Sequence, residues 1–171
     1  LDHFIFGNVE RISPEAPVPV VRSIKEKYSL GGCGNVLRNL INLGVQSSVI
    51  SCVGTDQAGK KIINELTNKD LSTKNILQSE LIQTTEKMRI VAEGQQLVRV
   101  DWDANSLEKK DYDIILNLLH KKITCLDAII ISDYNKGLCK EFVLSDIISK
   151  AKEFQKKVGT MRPQYGHQEM I

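Results

Sequence analysis

Hydrophobic positions follow two alternating periods along the first third of the chain. Residues 34–43 place apolar side chains at helical spacing, and Gly44 follows as a helix stop signal. Residues 47–53 are a short run rich in β-branched side chains, and a Gly-Thr-Asp turn leads from them into a second helical pattern at residues 58–66. The pattern predicts a helix, a strand, a tight turn and a second helix.

The same alternation returns in the last third of the chain. Residues 112–120 have a helical period, residues 127–132 resemble a buried strand, and residues 141–154 are helical again. Strands that alternate with helices indicate βαβ crossovers, in which helices cover a sheet of parallel strands. We therefore predict the α/β class with a mostly parallel central sheet.

Two segments depart from this alternation and read as antiparallel strands. Residues 17–24 contain prolines that confine them to the edge of a sheet, and residues 87–102 form a hairpin pattern that turns at Glu93 and Gly94. A small β-sheet that projects from an α/β body is the expected result. Such a projection often serves as a lid or as a dimer surface.

Composition narrows the class of protein without identifying it. The 171 residues are 42% hydrophobic and 26% charged, with a formal net charge of +2 that is not gathered into a basic block. This balance predicts a globular domain and gives no support for a nucleic-acid or membrane partner. The first residues lack the features of a secretory signal, and the four cysteines have no metal-site spacing, so a cytoplasmic location is expected.

A glycine-rich run at residues 31–35, GGCGN, comes just before the first predicted helix. Glycines there let the backbone approach a ligand closely, although such a turn is more often purely structural. The run is followed by a helix and then by a strand that ends in VGTDQAG at residues 53–59. This order resembles the ribokinase, or phosphofructokinase-B, family of carbohydrate kinases.

Three further segments resemble the heptose 7-phosphate kinase branch of that family: RISPEAPVPVV at residues 11–21, GQQLVRVD at 94–101 and SDYNKG at 132–137. The resemblance implies a partial ribokinase-like three-layer sandwich over residues 1–160, with lid segments at residues 10–26 and 84–102. Residues 161–171 are unlike the family and are expected to form an aberrant tail. A homodimer through the β-lid is implied as well.

The resemblance also implies a set of residues that contact the sugar. Carboxylate and carboxamide groups can bind neighbouring hydroxyls, and cations can grip a substrate phosphate. The implied sugar contacts are Asp2, Gly31, Gly32 and Asn35, and the implied lid and phosphate contacts are Arg11, Glu15, Lys87, Arg89 and Arg99. For the last three, an equal alternative is that cations on edge strands discourage aggregation.

Residues 132–137 follow a predicted buried strand, so they are expected at the carboxyl edge of the sheet, where α/β proteins bind ligands. The resemblance implies that Lys136 lies near the transferred phosphate and that Asp133 positions its neighbours. A turn that uses Asp and Gly for local geometry alone is the alternative. The three histidines have no sequence neighbours that suggest a metal site, and a surface position is expected for each.

Family members use ATP and Mg²⁺, and the segments that serve them are missing from this sequence. No D-P-K-like segment, N-x-x-E motif or GAGD motif with its general-base Asp occurs, and the chain starts after the family's first hydrophobic strand. No catalytic base is therefore assigned. A truncated chain that is inactive alone, and does not bind ATP and Mg²⁺ productively, is the expectation.

Three alternatives stay open at the level of sequence. The first is a ribokinase-type kinase of another sugar, such as a ketose phosphate, a pentose or a nucleoside. The second is a non-catalytic protein, either a remnant or a lid-mediated dimerisation module. A dinucleotide-binding module is a weaker alternative, because the glycine spacing does not match the G-x-G-x-x-G fingerprint.

Overall fold

A computed structural model describes residues 1–103 and 107–161. The described residues form an α/β arrangement that confirms the predicted class. In chain order the elements are β1 Asp2–Ile12, β2 Pro19–Ser29, α1 Gly32–Asn42, β3 Ser51–Gly54, α2 Gln57–Thr67, β4 Ile76–Ser79, β5 Glu86–Ala92, β6 Gln95–Trp102, α3 Lys109–Lys122, β7 Ala128–Ser132, α4 Glu141–Glu153 and β8 Lys157–Met161.

Both helical predictions near the amino terminus are confirmed, with small shifts at their ends. Helix α1 begins at Gly32, two residues earlier than predicted, and Gly44 ends it with a positive φ of 77°. Strand β3 is shorter than predicted and starts at Ser51, because β4, with which it forms a two-stranded sheet, is itself only four residues long. The described residues divide into two compact units.

The first unit, residues 1–31, 53–73 and 78–103, contains a four-stranded sheet with the order β2-β1-β5-β6. The predicted hairpin is confirmed: β5 and β6 pair antiparallel, and Glu93 and Gly94 turn with φ values of 50° and 78°. The predicted edge strand is also confirmed as β2, which begins at Pro19. Both predicted lid segments therefore contribute to one sheet.

Strand β1 is the element that the sequence pattern did not predict. Its apolar residues run consecutively at Phe4, Ile5 and Phe6 instead of alternating, so the period-two signal is weak. It pairs in parallel with β5 and antiparallel with β2. Parallel pairing thus joins β1 to β5, and in the second unit β7 to β8, while β2 and β6 add antiparallel strands to the predicted parallel pattern.

The VGTDQAG segment forms a tight turn that is closed by backbone contacts. Asp56 caps α2 by accepting a 2.7 Å hydrogen bond from Gly59 N–H, and its second oxygen accepts one of 2.7 Å from Thr84 N–H. Thr84 Oγ1 in turn accepts a 2.8 Å hydrogen bond from Gly54 N–H. A side chain at Gly59 would overlap the Gly54 carbonyl, so the glycines of this motif are required by the fold itself.

The second unit, residues 32–52, 74–77 and 107–161 of the described chain, packs α3 and α4 together and pairs β7 with β8 in parallel. Met161 is the last residue of β8 and the first residue of the predicted aberrant tail, residues 161–171. Residues 162–171, the rest of that tail, lie outside the described residues. The buried apolar side chains of this unit are Leu37, Ile76, Tyr112, Ile115, Leu119, Ile123, Ile131, Val143 and Ala151.

Candidate functional site

An ion pair between two distant residues marks the first predicted site position. Asp2 begins β1 and Arg89 lies in β5, and Arg89 Nη1 donates to Asp2 Oδ1 at 2.7 Å. Each side chain is only about a quarter exposed or less, at 25% and 20%. A Cβ atom added at Gly31 would lie 3.8 Å from Asp2 Oδ2. The structure therefore brings together Asp2, Gly31 and Arg89, three of the residues that the family resemblance implied for the substrate.

A row of cations crosses the sheet beside that ion pair. Phe4 pairs with Lys27 of β2 on one side and with Arg89 on the other, and Arg89 pairs with Arg99 of β6. Residues that are paired across neighbouring strands point to the same face, so Phe4 and the three cations lie in one row on one surface, with Lys27 and Arg89 on either side of Phe4. The Arg89 guanidinium lies 5.1 Å from the centroid of the Phe4 ring. We call Lys27, Phe4, Arg89 and Arg99 the cation row.

Part of this charge is balanced by one carboxylate on β6. Lys87 Nζ donates to Asp101 Oδ2 at 2.7 Å, and Arg99 Nε lies 2.9 Å from Asp101 Oδ1. The hydrogen bond from Lys87, helped by the charge of Arg99, lowers the pKa of Asp101 below its ordinary value. Lys87 is thus committed to Asp101, whereas exposed Lys27 adds a positive charge that sequence reasoning missed.

Two predicted lid residues lie far from this cluster. Arg11 is near the other end of β1, and a strand rises about 3.3 Å per residue, so it lies about 30 Å along the strand from Asp2. Glu15 lies in the exposed bend between β1 and β2, where its N–H donates to Ser13 Oγ at 3.2 Å. The structure does not bring either residue to the cation row, and a role for them in a lid stays a prediction.

In the second unit, the other predicted sugar contacts lie in the first turn of α1. Gly32 is the first residue of the helix, and the ring of Tyr134 occupies the place where a side chain at Gly32 would be. Asn35 is exposed, and its Oδ1 accepts a 2.7 Å hydrogen bond from Arg38 Nη2. Sequence reasoning missed Tyr134, although it lies inside the SDYNKG segment.

The loop after β7 contains Asp133 and Lys136, as predicted. The prediction that this strand is buried is wrong: Ala128 and Ile130 are exposed, because among the described strands β7 pairs with β8 alone. Asp133 Oδ1 accepts a 2.9 Å hydrogen bond from Asn135 N–H, which is the turn geometry of the structural alternative. Lys136 is half-buried and interacts with other residues of the protein. The loop is formed as expected, and the contact of Lys136 with a transferred phosphate stays a prediction.

One histidine prediction is wrong. His3 was expected at the surface but is buried, with 6% of its surface exposed, because it lies on a central strand between Tyr28 and Glu86. His120 is half-buried and pairs with Asp146 at 2.6 Å, and His167 lies outside the described residues. Within residues 1–103 and 107–161, no group of three or more His, Cys, Asp or Glu side chains is arranged to hold a metal ion.

The last two findings concern the Cys33 thiol and the apolar character of the helices. Burial raises the pKa of the Cys33 thiol, and the neighbouring Ser132 hydroxyl opposes that rise, so Cys33 has no features of a reactive thiolate. No helix within residues 1–103 and 107–161 combines the length and the apolar character needed to cross a bilayer.

Two curated relatives match most of this chain. The bifunctional protein HldE of Wolinella succinogenes is 42% identical over 161 residues, which cover 92% of this chain and 34% of that protein. The same-named protein of Helicobacter acinonychis is 38% identical over 176 residues, which cover 99% of this chain and 38% of that protein. The chain thus spans about a third of the length of these curated relatives.

The solved structure of phosphofructokinase-2 from Escherichia coli in complex with fructose-6-phosphate has the same fold. It superposes with a TM-score of 0.68 at 19% identity, covering 96% of this chain and 52% of that chain. The model of the pfkB family of carbohydrate kinases matches residues 4–169. This chain therefore belongs to the pfkB family of carbohydrate kinases.

Proposed function

We propose that this chain forms the sugar-acceptor part of a kinase that transfers phosphate from ATP to O1 of a heptose 7-phosphate, in ADP-heptose supply for the lipopolysaccharide core. The observation that carries the proposal is the Asp2–Arg89 ion pair beside the cation row, in a member of a carbohydrate kinase family. The heptose is favoured because relatives that match most of this chain are named HldE and because three segments resemble heptose 7-phosphate kinases.

The charges on the sheet suit a substrate that already bears a phosphate. Around the Asp2 to Phe6 part of β1, the same face contains five cations and two carboxylates, an excess of three positive charges; they are Lys25, Lys27, Lys87, Arg89 and Arg99 against Asp2 and Asp101. An Arg guanidinium can donate two parallel hydrogen bonds to a phosphate, while Lys supplies a point charge. The proposed phosphate contacts are therefore Lys27, Arg89 and Arg99.

Asp2 is proposed to accept hydrogen bonds from sugar hydroxyls. An ionised carboxylate has about four acceptor positions, and the bond from Arg89 uses one of them at Oδ1. A Cβ atom added at Gly31 would lie 3.8 Å from Asp2 Oδ2, so the glycine lets a ligand approach this oxygen closely. The roles of Gly32, Asn35, Asp133 and Lys136 as sugar or phosphate contacts rest on the family resemblance.

ATP with Mg²⁺ is the proposed phosphate donor, in line with the family. The described residues form no cluster that fits a metal ion, so no step of the mechanism is assigned to the metal. What this chain contributes is positioning: a fixed carboxylate for the sugar and fixed cations for its phosphate. Phosphoryl transfer depends chiefly on such positioning and on charge stabilisation. A cytoplasmic location is part of the same proposal.

Replacing Arg89 by Gln is expected to weaken binding of heptose 7-phosphate by about 10- to 100-fold. A hydrogen bond between charged groups contributes about 1.5 to 3 kcal/mol, and the substitution also releases Asp2 from its fixed position. The measurement is calorimetric titration of the wild type and the variant with heptose 7-phosphate and with the same heptose lacking the phosphate. The loss should be smaller for the unphosphorylated sugar.

The matched control for this test is Arg22→Gln. Arg22 lies in the same sheet and is paired with Glu10 at 3.3 Å, but its side chain is 75% exposed and it is not in the cation row. Its affinity should stay within about twofold of the wild type, as expected for an exposed ion pair. Equal effects of the two substitutions would show that the cation row does not bind the phosphate.

Another sugar remains the second candidate within the same family. A panel of sugars that includes ketose phosphates, pentoses and nucleosides separates the candidates by affinity. Binding of a pentose or nucleoside in preference to every sugar phosphate would leave the excess positive charge of the sheet without a role. A non-catalytic remnant or dimerisation module would bind none of them.

We further propose a homodimer formed through the four-stranded sheet of the first unit. Val98 and Val100 of β6 are 46% and 38% exposed and lie two residues apart on one face, opposite the cation row. Exposed apolar side chains on a sheet face favour association. Val98→Lys is expected to shift the protein to monomer in analytical ultracentrifugation, whereas Leu43→Lys, at an exposed apolar position of α1's carboxyl end, should leave the mass unchanged. A monomeric wild type would contradict the proposal.

A further inference from the structure

The ring of Tyr134 takes the space of the side chain that Gly32 lacks. A Cβ atom added at Gly32 would overlap Cζ, Cε2 and Oη of Tyr134, so the far end of the ring lies directly on the first residue of α1. Both residues belong to the second unit, and α1 packs against β7, which ends just before Tyr134. Gly32 has an ordinary φ, so the close approach of the ring, and not backbone conformation, is what requires a glycine here.

The loop that contains Tyr134 is anchored on both sides of it. Asp133 N–H donates to the carbonyl of Met161 in β8 at 2.9 Å, and Asp133 Oδ1 accepts from Asn135 N–H at 2.9 Å. At the other end, the Gly137 carbonyl accepts a 2.7 Å hydrogen bond from Tyr112 Oη. Tyr112 is 5% exposed and belongs to the core of the unit. The base of the Tyr134 side chain is therefore held in place by the rest of the domain.

Two residues of this loop have a positive φ. Asn135 and Gly137 have φ values of 54° and 92°, in the left-handed region, which few residue types adopt readily. The next residue of α1, Cys33, lies against Ser132 at the start of the loop. Two consecutive residues of the helix start thus contact the loop on both sides of Asp133.

We infer that Tyr134 is a positioning residue whose ring fixes the first turn of α1, and with it Asn35. The consequence for substrate rests on the proposed function, which assigns Asn35 to the sugar. Gly32 and Tyr134 then act as one contact: the glycine supplies the space and the ring fills it. Removing either partner should loosen the same turn.

Amide hydrogen exchange measured by NMR tests the positioning directly. In an α-helix the N–H groups of Val36 and Leu37 donate to the carbonyls of Gly32 and Cys33, so their exchange reports on the first turn. Tyr134→Ala is expected to speed exchange at these two amides by about tenfold, a loss of local protection typical of a released contact. Amides of α4 serve as the internal reference and should not change.

Three further variants separate a specific contact from general destabilisation. Tyr134→Phe keeps the ring, and its amides of Val36 and Leu37 should exchange at the wild-type rate. Gly32→Ala should displace the ring and match Tyr134→Ala. The double variant should add little, because each substitution removes the same contact. Unchanged exchange at Val36 and Leu37 in Tyr134→Ala, or additive effects in the double variant, would overturn the inference.

Titration with heptose 7-phosphate provides the second readout. Tyr134→Ala should weaken binding by about tenfold and Tyr134→Phe by less than about twofold, as expected when a contact that positions a hydrogen-bonding side chain is lost or kept. If the wild type does not bind the sugar phosphate while the exchange results hold, the proposed function fails and the positioning role stands. If the wild type binds and Tyr134→Ala binds equally well with unchanged exchange, the positioning role fails and the proposed function stands.

Discussion

Replacing Gly59 by Ala is expected to destabilise the protein by about 3 kcal/mol or more, at the upper end of what overpacking costs. The new Cβ would overlap the carbonyl oxygen and carbon of Gly54, which are backbone atoms, and would lie 3.0 Å from Thr84 Oγ1. Neither neighbour can move away easily, because Thr84 Oγ1 itself accepts the hydrogen bond from Gly54 N–H. The turn between β3 and α2 would have to open.

This expectation is opposite in sign to the one from helix propensity. Gly59 lies inside α2, where Ala in place of Gly favours an exposed helix by about 1 kcal/mol. Urea unfolding followed by circular dichroism measures the difference. The matched control is Gly159→Ala in β8, where an added Cβ would meet nothing within 4 Å, and it should change stability by no more than about 0.5 kcal/mol. Equal midpoints for the two variants would refute the close approach of Gly59 to Gly54.

Asp56→Ala is expected to cost about 2 to 4 kcal/mol, the second largest effect. The substitution removes the cap of α2, which is typically about 1 kcal/mol, and leaves Thr84 N–H without its acceptor at a further cost of about 1 to 3 kcal/mol. The two hydrogen bonds join the start of α2 to the segment before β5, because Asp56 binds Thr84, which lies 28 positions further along the chain. Urea unfolding at neutral pH measures the loss.

The same carboxylate should make stability depend on pH. Burial alone would raise the pKa of Asp56, but the N–H groups of Thr84 and Gly59 outweigh it and lower the pKa below the ordinary value of 3.8. A group whose pKa is lower in the folded state contributes stability above its unfolded pKa and loses it as the pH falls through the folded value. Stability of the wild type should therefore decline below about pH 4.

Asp56→Asn isolates this contribution, because it keeps the size of the side chain without the charge. The Asn variant should be less stable than the wild type at neutral pH, and the difference should shrink as the pH falls below about 4. Glu10 and Arg22, an exposed pair elsewhere on the chain, offer a control. Glu10→Gln should give a difference that is small at every pH. A constant gap between Asp56→Asn and the wild type would contradict a charged Asp56.

Strand alternation predicted only part of the cation row. Alternation predicted that Lys87 and Arg89 share one face of a strand, and the structure confirms it. The pattern did not show that Lys87 is occupied by Asp101, nor that Lys27 joins the row from β2. Those contacts depend on which strands are neighbours and on their register. The sequence of a single strand does not specify either one.

Sequence alone determined the elements whose signals are local: the helices, the hairpin turn at Glu93 and Gly94, the edge position of β2 and the family to which the segments belong. Periodicity, turn chemistry and proline restrictions act over a few residues, so they can be read without a fold. For the same reason β1, with its consecutive apolar residues, escaped detection.

Only the tertiary structure decided which side chains meet. Asp2 and Arg89 are 87 positions apart and come together because β1 and β5 pair in parallel. His3 is buried because its strand lies in the middle of the sheet. Tyr134 contacts Gly32 because β7 packs against α1, which places the loop after β7 beside the first residue of the helix. Such contacts are selected by the free energy of packing the whole chain, to which each residue adds only a small share, and no short segment contains that information.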